Sequence, residues 1–209
     1  MTNYFITGIG TNVGKTLASA ILTEALQADY WKPIQTGLVE GTDSITVARL
    51  APLVTIHPPA IELQAPLSPH EAAQRERTRI DLSAITPPIT ERPLVVEGAG
   101  GVMVPINELA LMVDLMARLN LPVLVVARSG LGTINHTLMT LEILRRRHIP
   151  ILGVVMNGQR NAANRQAIEH YGGVPVLAEI QPLPAVTDSM VASLPPPDFS
   201  YSAHFPLAR

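Results

Sequence analysis

Short apolar runs alternate along the chain with longer stretches in which apolar residues recur every three to four positions. The runs, which are rich in Val, Ile and Leu, cover residues 4–7, 94–96, 123–127 and 151–156. Continuous apolar character over so few residues is typical of strands that are buried on both faces of a parallel sheet. The periodic stretches, at residues 15–28, 109–119 and 133–148, predict amphipathic helices. This alternation predicts an α/β fold with a mostly parallel sheet and helices on both faces.

Two proline-rich stretches interrupt the alternation. We interpret residues 52–69 as an irregular excursion over the sheet edge, and residues from about 184 onward as an extended tail. Neither stretch has the composition of a linker between separate domains, and 209 residues suit one large domain. We therefore predict a single domain that covers residues 1–209.

Composition and charge narrow the classes of function. Fifteen Lys and Arg against seventeen Asp and Glu give a net charge of −2, so no bulk positive charge attracts nucleic acid or anionic lipid. The chain has no cysteine, which excludes disulfides, thiolate metal ligands and thiol nucleophiles. No apolar run approaches the roughly 20 residues that span a bilayer, and the first residues lack the pattern of an export signal. We predict a cytoplasmic protein that binds neither nucleic acid nor membrane.

The segment between the first predicted strand and the first predicted helix is the strongest sign of chemistry. Residues 7–16 read TGIGTNVGKT. A glycine-rich loop in this position exposes main-chain N–H groups at the positive end of a helix, which is an arrangement that binds phosphates. Lys15 is expected to reach the outer phosphates of a nucleotide and Thr16 to ligate Mg²⁺. The neighbouring residues predicted to contact ATP are Asn12, Val13, Gly14 and Leu17.

The loop spacing differs from the strict pattern, because Ile9 stands where a glycine is expected. The Gly-Lys-Thr end therefore carries the inference. A glycine-rich turn that only caps the helix is the alternative.

Two acidic residues are placed to complete a site for magnesium and nucleotide. Glu97 follows the apolar run at residues 94–96, so we expect it at the carboxyl end of a strand. A buried acid is costly unless it is paired or bound to metal. The main chain that follows is free to approach ATP and comprises Gly98, Ala99 and Gly100. For Asp43, which precedes a short helical pattern, a role as magnesium ligand and a simple helix N-cap are both open.

Lys32 and Thr36 lie in the segment WKPIQTG at residues 31–37. We expect a short second strand to end here beside the first strand, which would bring Lys32 to the phosphate-binding crevice. A cation followed by a hydroxyl suits an anionic substrate. An exposed surface lysine is the alternative.

Five segments together resemble dethiobiotin synthetase, in the same order and at similar separations. They are residues 7–16, KPIQTG at 32–37, VEGAGG at 96–101, GTINH at 132–136 and VMN at 155–157. The resemblance extends to about residue 183 and implies a P-loop NTPase-like fold in a homodimer. It also implies that the protein uses ATP and Mg²⁺ to close the ureido ring of dethiobiotin from 7,8-diaminopelargonic acid and CO2.

The same resemblance implies roles for individual residues. Lys15 and Lys32 would be catalytic, stabilising the charge of a carbamate and of the transferred phosphate, while Thr16, Asp43 and Glu97 would hold Mg²⁺. Thr36 would contact the substrate, and Asn157 would read the adenine edge, since an amide carries both a donor and an acceptor. The turn at residues 132–136 resembles the segment that binds the substrate carboxylate across the dimer, through Thr133, Ile134 and Asn135. Residues 68–73, SPHEAA, resemble a stretch near the substrate.

Two places depart from the family pattern. The family loop commonly carries acids where this chain has Gly10 and Asn12, and the family's Pro-Trp-Leu stretch at the adenine corresponds to QPL at residues 181–183. Stacking by that tryptophan is therefore lost, and we expect weaker selectivity for the nucleotide.

Two rival hypotheses share the predicted loop. One is a nucleotide-dependent switch or partitioning ATPase of the deviant P-loop class, whose loop often begins Lys-Gly-Gly, whereas residues 7–10 read TGIG here. The other is an amidotransferase-like synthetase that acts on a different small acid.

Overall fold

Strands and helices alternate along residues 2–200, the part of the chain described by the structure, which is a computed structural model. The strands are β1 (Tyr4–Gly8), β2 (Asp29–Trp31), β3 (Ile34–Thr36), β4 (Ile56–His57), β5 (Ile61–Leu63), β6 (Leu94–Gly101), β7 (Val123–Arg128), β8 (Ile151–Asn157) and β9 (Val176–Ile180). The helices are α1 (Lys15–Leu26), α2 (Asp43–Leu50), α3 (Pro69–Arg75), α4 (Met112–Leu119), α5 (Thr133–Arg146), α6 (Ala162–Gly172) and α7 (Asp188–Ser193). None of these helices has the length and apolar character needed to cross a membrane.

Seven strands form one parallel sheet in the order β4-β2-β6-β1-β7-β8-β9. A smaller parallel sheet pairs β3 with β5. The carboxyl ends of parallel strands lie at the same edge of a sheet, where α/β proteins bind ligands. The segments that follow β1, β2 and β8 therefore meet at one rim. The predicted parallel sheet is confirmed.

Two apolar cores cover the two faces of the sheet, because alternate residues of a strand point to opposite faces. Phe5 and Val96 belong to the core that includes Leu141 of α5. Ile6 and Val95 belong to the core beneath α1, α2 and α7. All five side chains are fully buried, which explains why the strands read as continuous apolar runs. The predicted helices on both faces are confirmed.

The neighbour of β1 on one side is β6, not β2, which corrects a prediction. β2 pairs with β6, so the strand before Lys32 ends one strand away from the loop after β1. The order of the strands in the sheet thus differs from their order along the chain. Lys32 still reaches the rim, because β1, β2 and β6 run in parallel and end at the same edge.

Both proline-rich stretches contain regular structure, contrary to expectation. Residues 52–69 hold β4, which pairs with β2 at the sheet edge, and β5. The expected extended tail instead begins with α7, where Thr187 Oγ1 caps the helix by accepting from Met190 N at 3.3 Å. Val191 is 1% exposed in the core beneath α1, and this burial stabilises the short helix. The rest of the predicted tail, from residue 201 onward, and residue 1 lie outside the described residues.

Candidate active site

The loop between β1 and α1 is held against the end of β8. Gly14 precedes α1 in the left-handed conformation with a φ of 97°, which glycine adopts without strain. A Cβ atom at Gly14 would lie 2.1 Å from Asn157 Nδ2, so no side chain fits there. Asn157 Nδ2 donates to Val13 O at 3.1 Å, and Lys15 Nζ donates to Gly10 O at 3.0 Å. The first N–H groups of α1 have no acceptor within the helix, so this fixed loop can bind phosphate.

Four charged side chains and one hydroxyl converge where α1 begins, and we call this set the rim cluster: Lys15, Thr16, Lys32, Asp43 and Glu97. Lys32 Nζ lies 2.8 Å from Asp43 Oδ2 and 3.1 Å from Glu97 Oε1. Thr16 Oγ1 lies 2.5 Å from Asp43 Oδ1 and 3.1 Å from Glu97 Oε1. The fold thus brings the three predicted metal ligands together with both predicted catalytic lysines. Lys32 is 4% exposed, so it is not a surface lysine.

The charges of the rim cluster shift one another's pKa values. Burial disfavours the Lys32 ammonium, but Glu97 and Asp43 outweigh burial and raise the pKa of Lys32 above its ordinary value. Burial has the largest effect on Lys15 and, with the charge of Lys32, lowers the pKa of Lys15. At Asp43 burial is opposed by Lys32 and Thr16, which together lower the pKa of Asp43. Lys32 is therefore a fixed cation at neutral pH.

Glu97 lies inside β6 and not at its carboxyl end, which corrects the prediction. β6 continues because Gly101 pairs with Gly8 of β1, beyond a register shift that follows Ile6. Glu97 is 1% exposed, so its carboxylate needs internal partners. One of them is Tyr30, whose hydroxyl donates to Glu97 Oε2 at 3.0 Å. Burial, reinforced by the charge of Glu97, raises the pKa of Tyr30, so this hydroxyl keeps its proton.

Asp43 is the first residue of α2, and the N-cap alternative for it is wrong. The N-cap is Thr42, whose Oγ1 accepts from Ile45 N at 3.1 Å. A capping side chain folds back onto its helix, whereas the Asp43 carboxylate faces the rim cluster. The main chain of Asp43 is also fixed, since its N–H donates to Gln35 Oε1 at 3.3 Å.

A cavity of about 810 Å³ opens over the rim cluster. This volume falls within the range of about 300–1,000 Å³ that is usual for small-molecule sites. Besides the rim cluster, the predicted contacts that line it are Asn12, Gly14, Thr36, Ala99, Gly100 and Asn157. A nucleotide and a small acceptor can therefore meet beside the same cations.

Several predicted contacts lie away from this cavity. Val13 is buried and Leu17 packs against the core beneath α1. Gly98 does not line the cavity but faces the apolar core, where a Cβ atom would be 2.9 Å from Phe5 Cε1. The residues at the start of α5 are not among the lining residues of the cavity either: Thr133, Ile134 and Asn135. Within one chain, the predicted carboxylate-binding turn does not join the rim cluster.

The cavity also uses residues that the sequence analysis did not single out. Gln35 of β3 lines it, as do Gly37 and Gly41 between β3 and α2, and Pro66 and Leu67 before α3. For the part of the cavity before α3, the only indication in the sequence was the similarity of residues 68–73 to a family stretch. Nothing in the sequence indicated a role for Tyr30, because its partner Glu97 is remote in the chain.

The oxygen atoms of the rim cluster suit a magnesium ion. Thr16, Asp43 and Glu97 offer one hydroxyl and two carboxylates, which are the hard donors that Mg²⁺ prefers. Among residues 2–200, no three His, Cys, Asp or Glu side chains form a metal cage. Magnesium at nucleotide sites commonly takes only one or two carboxylates, with phosphates and water completing its coordination. The residues present fit the ion.

The comparisons with known proteins agree on the family and on the fold. A family model described as an AAA domain matches residues 2–190. The ATP-dependent dethiobiotin synthetase BioD of Paramagnetospirillum magneticum is 72% identical over 200 residues, which cover 96% of this chain and 98% of that protein. The protein of the same name from Agrobacterium fabrum is 43% identical over 207 residues, covering 98% of this chain and 95% of that protein.

Among solved structures, a ParA family ATPase from Chlorobium tepidum aligns with a TM-score of 0.57, covering 98% of this chain and 99% of that chain. The sequences are 11% identical, so this likeness concerns the fold alone.

Proposed function

This chain belongs to the dethiobiotin synthetase family, and from that premise we propose that the cavity over the rim cluster is its active site. There it would join 7,8-diaminopelargonic acid to CO2 with the use of ATP. The observation that carries the proposal is the convergence of Thr16, Lys32, Asp43 and Glu97 beside the glycine-rich loop. Identity over nearly the whole chain supports this ligase, whereas the switch and partitioning alternative has only a shared fold in its favour.

The reaction needs a phosphoryl transfer and then a ring closure. One amine of the substrate captures CO2 as a carbamate, whose oxygen is a poor leaving group. The γ-phosphoryl group of ATP moves to that oxygen and gives a carbamic-phosphoric anhydride. The second amine attacks the carbonyl carbon and expels phosphate, so the products are dethiobiotin, ADP and phosphate. The use of ATP supports a cytoplasmic location.

Lys15 and Lys32 supply the positive charge that this sequence of steps needs. Both the carbamate and the transferred phosphoryl group are anionic, and preorganised cations in a partly buried site stabilise such charge strongly. Because the rim cluster raises the pKa of Lys32, this lysine remains charged throughout. Thr36, at the end of β3, would hold the diamine from the cavity wall. Ring closure then depends mainly on the proximity of the two amines, and no protein nucleophile is required.

Thr16, Asp43 and Glu97 would hold the magnesium ion. Bound there, Mg²⁺ would neutralise negative charge on the β- and γ-phosphates. The main chain at Ala99 and Gly100 lines the same wall and would lie against the nucleotide.

Asn157 would read the adenine edge. One of its N–H groups donates to Val13 O, which leaves a second N–H and the side-chain oxygen for the base. The residues that line the cavity include no aromatic side chain, so stacking would add little to selectivity. We therefore expect other nucleoside triphosphates to support turnover at a reduced rate.

A homodimer would complete the site. The start of α5 lies outside the cavity of its own chain, so we propose that Thr133, Ile134 and Asn135 serve the cavity of a second copy. Mixing Lys32→Ala protein with Asn135→Trp protein tests this arrangement. Recovery of activity from two inactive variants is expected if sites are shared between subunits, and no recovery would contradict it.

Turnover itself can be tested with the purified protein, Mg²⁺, ATP, bicarbonate and 7,8-diaminopelargonate. We expect one phosphate to be released for each dethiobiotin formed, and Lys15→Ala to abolish both products. Phosphate release that is independent of the diamine would contradict the ligase assignment. Screening other diamines and diacids in the same assay separates this function from an amidotransferase-like synthetase.

A further inference from the structure

Tyr30 contacts the carboxylate of Glu97 from the side away from the cavity. Its hydroxyl donates to Glu97 Oε2 at 3.0 Å, and its side chain is fully buried. The two partners of Glu97 Oε1, Thr16 and Lys32, both line the cavity, whereas Tyr30 does not. The two carboxylate oxygens are therefore distinct: Oε1 belongs to the site and Oε2 to the core.

The strand register explains how Tyr30 reaches Glu97. Tyr30 of β2 pairs with Val95 of β6, and Glu97 lies two residues further along β6 on the same face. The ring belongs to the apolar core beneath α1, whose other members include Ile21 and Val95. In these surroundings, the phenol gives Oε2 a donor that the apolar neighbours cannot replace.

We propose that Tyr30 is a positioning residue that fixes Glu97 so that only Oε1 is presented to the metal and nucleotide. The inference rests on the proposed function of the rim cluster. Without the hydroxyl, Oε2 would be a buried acceptor with no donor, and the carboxylate would rotate to recover one. Loss of a hydrogen-bond partner behind a metal ligand typically weakens metal binding by about 10–100-fold.

Tyr30→Phe removes a single oxygen atom and tests the proposal. We expect the affinity for Mn²⁺, measured by electron paramagnetic resonance with a non-hydrolysable ATP analogue, to fall about 10-fold or more. The Mg²⁺ concentration for half-maximal turnover should rise by a similar factor. The KM for the diamine should stay unchanged, because Tyr30 does not line the cavity. Tyr171→Phe, at a tyrosine of α6 that is 69% exposed, is the matched control and should leave all three values unaltered.

A double-mutant cycle separates positioning from a general packing role. If Tyr30 acts through Glu97, Tyr30→Phe has no further effect on Mn²⁺ affinity in a Glu97→Gln background. An equal loss in both backgrounds, or wild-type affinity in folded Tyr30→Phe, would overturn the proposal. Failure of the wild-type protein to bind Mn²⁺ with the analogue would overturn the proposed function instead.

The wild-type protein offers a second test that needs no variant. Infrared difference spectra with ¹³C-labelled glutamate should show a widely split carboxylate pair when Mg²⁺ and the analogue bind, as expected for coordination through one oxygen. A narrow splitting, typical of coordination through both oxygens, would contradict the inference.

Discussion

Two buried carboxylates on neighbouring strands, Asp29 and Glu97, differ in what surrounds them. Asp29 begins β2, is 4% exposed, and its Oδ2 lies 3.0 Å from His57 Nε2 and 2.6 Å from Thr90 Oγ1. We call Asp29, His57 and Thr90 the strand-start cluster. Glu97 is equally buried and hydrogen-bonded, yet it belongs to a group with two lysines and a second acid beneath a cavity. Burial and pairing are therefore common to both carboxylates, whereas only Glu97 also lines the cavity beside the glycine-rich loop.

Lys32→Met should reduce activity more than any other variant, because it removes the ammonium group between Asp43 and Glu97 while keeping a long side chain. Loss of one preorganised cation should reduce dethiobiotin formation by about 10²–10³-fold. Buried Glu97 and half-buried Asp43 would lose their cation and keep only hydroxyl donors, which we expect to lower the free energy of unfolding by about 1–3 kcal/mol. The coupled assay and urea denaturation measure these two effects. Full activity in this variant would remove the distinction between the two clusters.

Asp29→Asn should lower stability but leave activity unchanged. His57 and Thr90 would then face a neutral acceptor, so the free energy of unfolding should fall by about 1–2 kcal/mol. The rate of dethiobiotin formation should remain that of the parent, since Asp29 does not line the cavity. A loss of kcat without a loss of stability would place Asp29 in the catalytic machinery and contradict the structural role of the strand-start cluster.

Thr42→Ala disturbs the rim cluster only indirectly, because Thr42 caps the helix that carries Asp43. Removal of the N-cap that accepts from Ile45 N should cost about 1 kcal/mol of stability. Asp43 follows the cap directly, so we also expect a severalfold rise in the Mg²⁺ concentration for half-maximal turnover. Thr42→Ser, which retains the hydroxyl, is the control and should behave like the parent.

Asp29→Asn should also change, by a small amount, how the free energy of unfolding depends on pH. At Asp29, burial is outweighed by the hydrogen bonds of Thr90 and His57, and the pKa of Asp29 is lowered in the folded protein. This stabilisation is complete above the ordinary Asp pKa of about 4 and is lost as the pH falls through the lower folded value. Denaturation between pH 7 and pH 3 should show a smaller stability loss in Asp29→Asn than in the parent. An identical loss of stability in both proteins would contradict the stabilising role of the ionised Asp29 carboxylate.

Sequence patterns predicted the parts of the candidate site that are local in the chain. The glycine-rich loop lies directly between β1 and α1, so its strand, turn and helix signals occur within one short segment. Glu97 was singled out because it directly follows an apolar run, where a buried acid is costly unless it is paired or bound to metal. Apolar runs likewise located β1, β7 and β8, whose bounds differ from the prediction by one residue at the carboxyl end.

The remaining features depend on contacts between distant segments, which no local pattern records. β6 lies between β1 and β2 in the sheet although it follows both of them in the chain. Tyr30 and Glu97 are 67 residues apart, and only the register of β2 with β6 brings them together. The helix α7 was not predicted, because the prolines around it suggested extended chain. Its stability comes from burial of Val191, which the local sequence does not reveal.

A crystal structure with Mn²⁺, a non-hydrolysable ATP analogue and 7,8-diaminopelargonate would test directly whether the rim cluster is the active site. We predict an anomalous Mn²⁺ peak within about 2.2 Å of Thr16 Oγ1 and one oxygen of Glu97, in line with hard-donor coordination distances. The two amines should lie beside the γ-phosphate, next to Lys32. A metal bound by phosphates alone, or a diamine away from Lys32, would contradict the claim that the rim cluster is the active site.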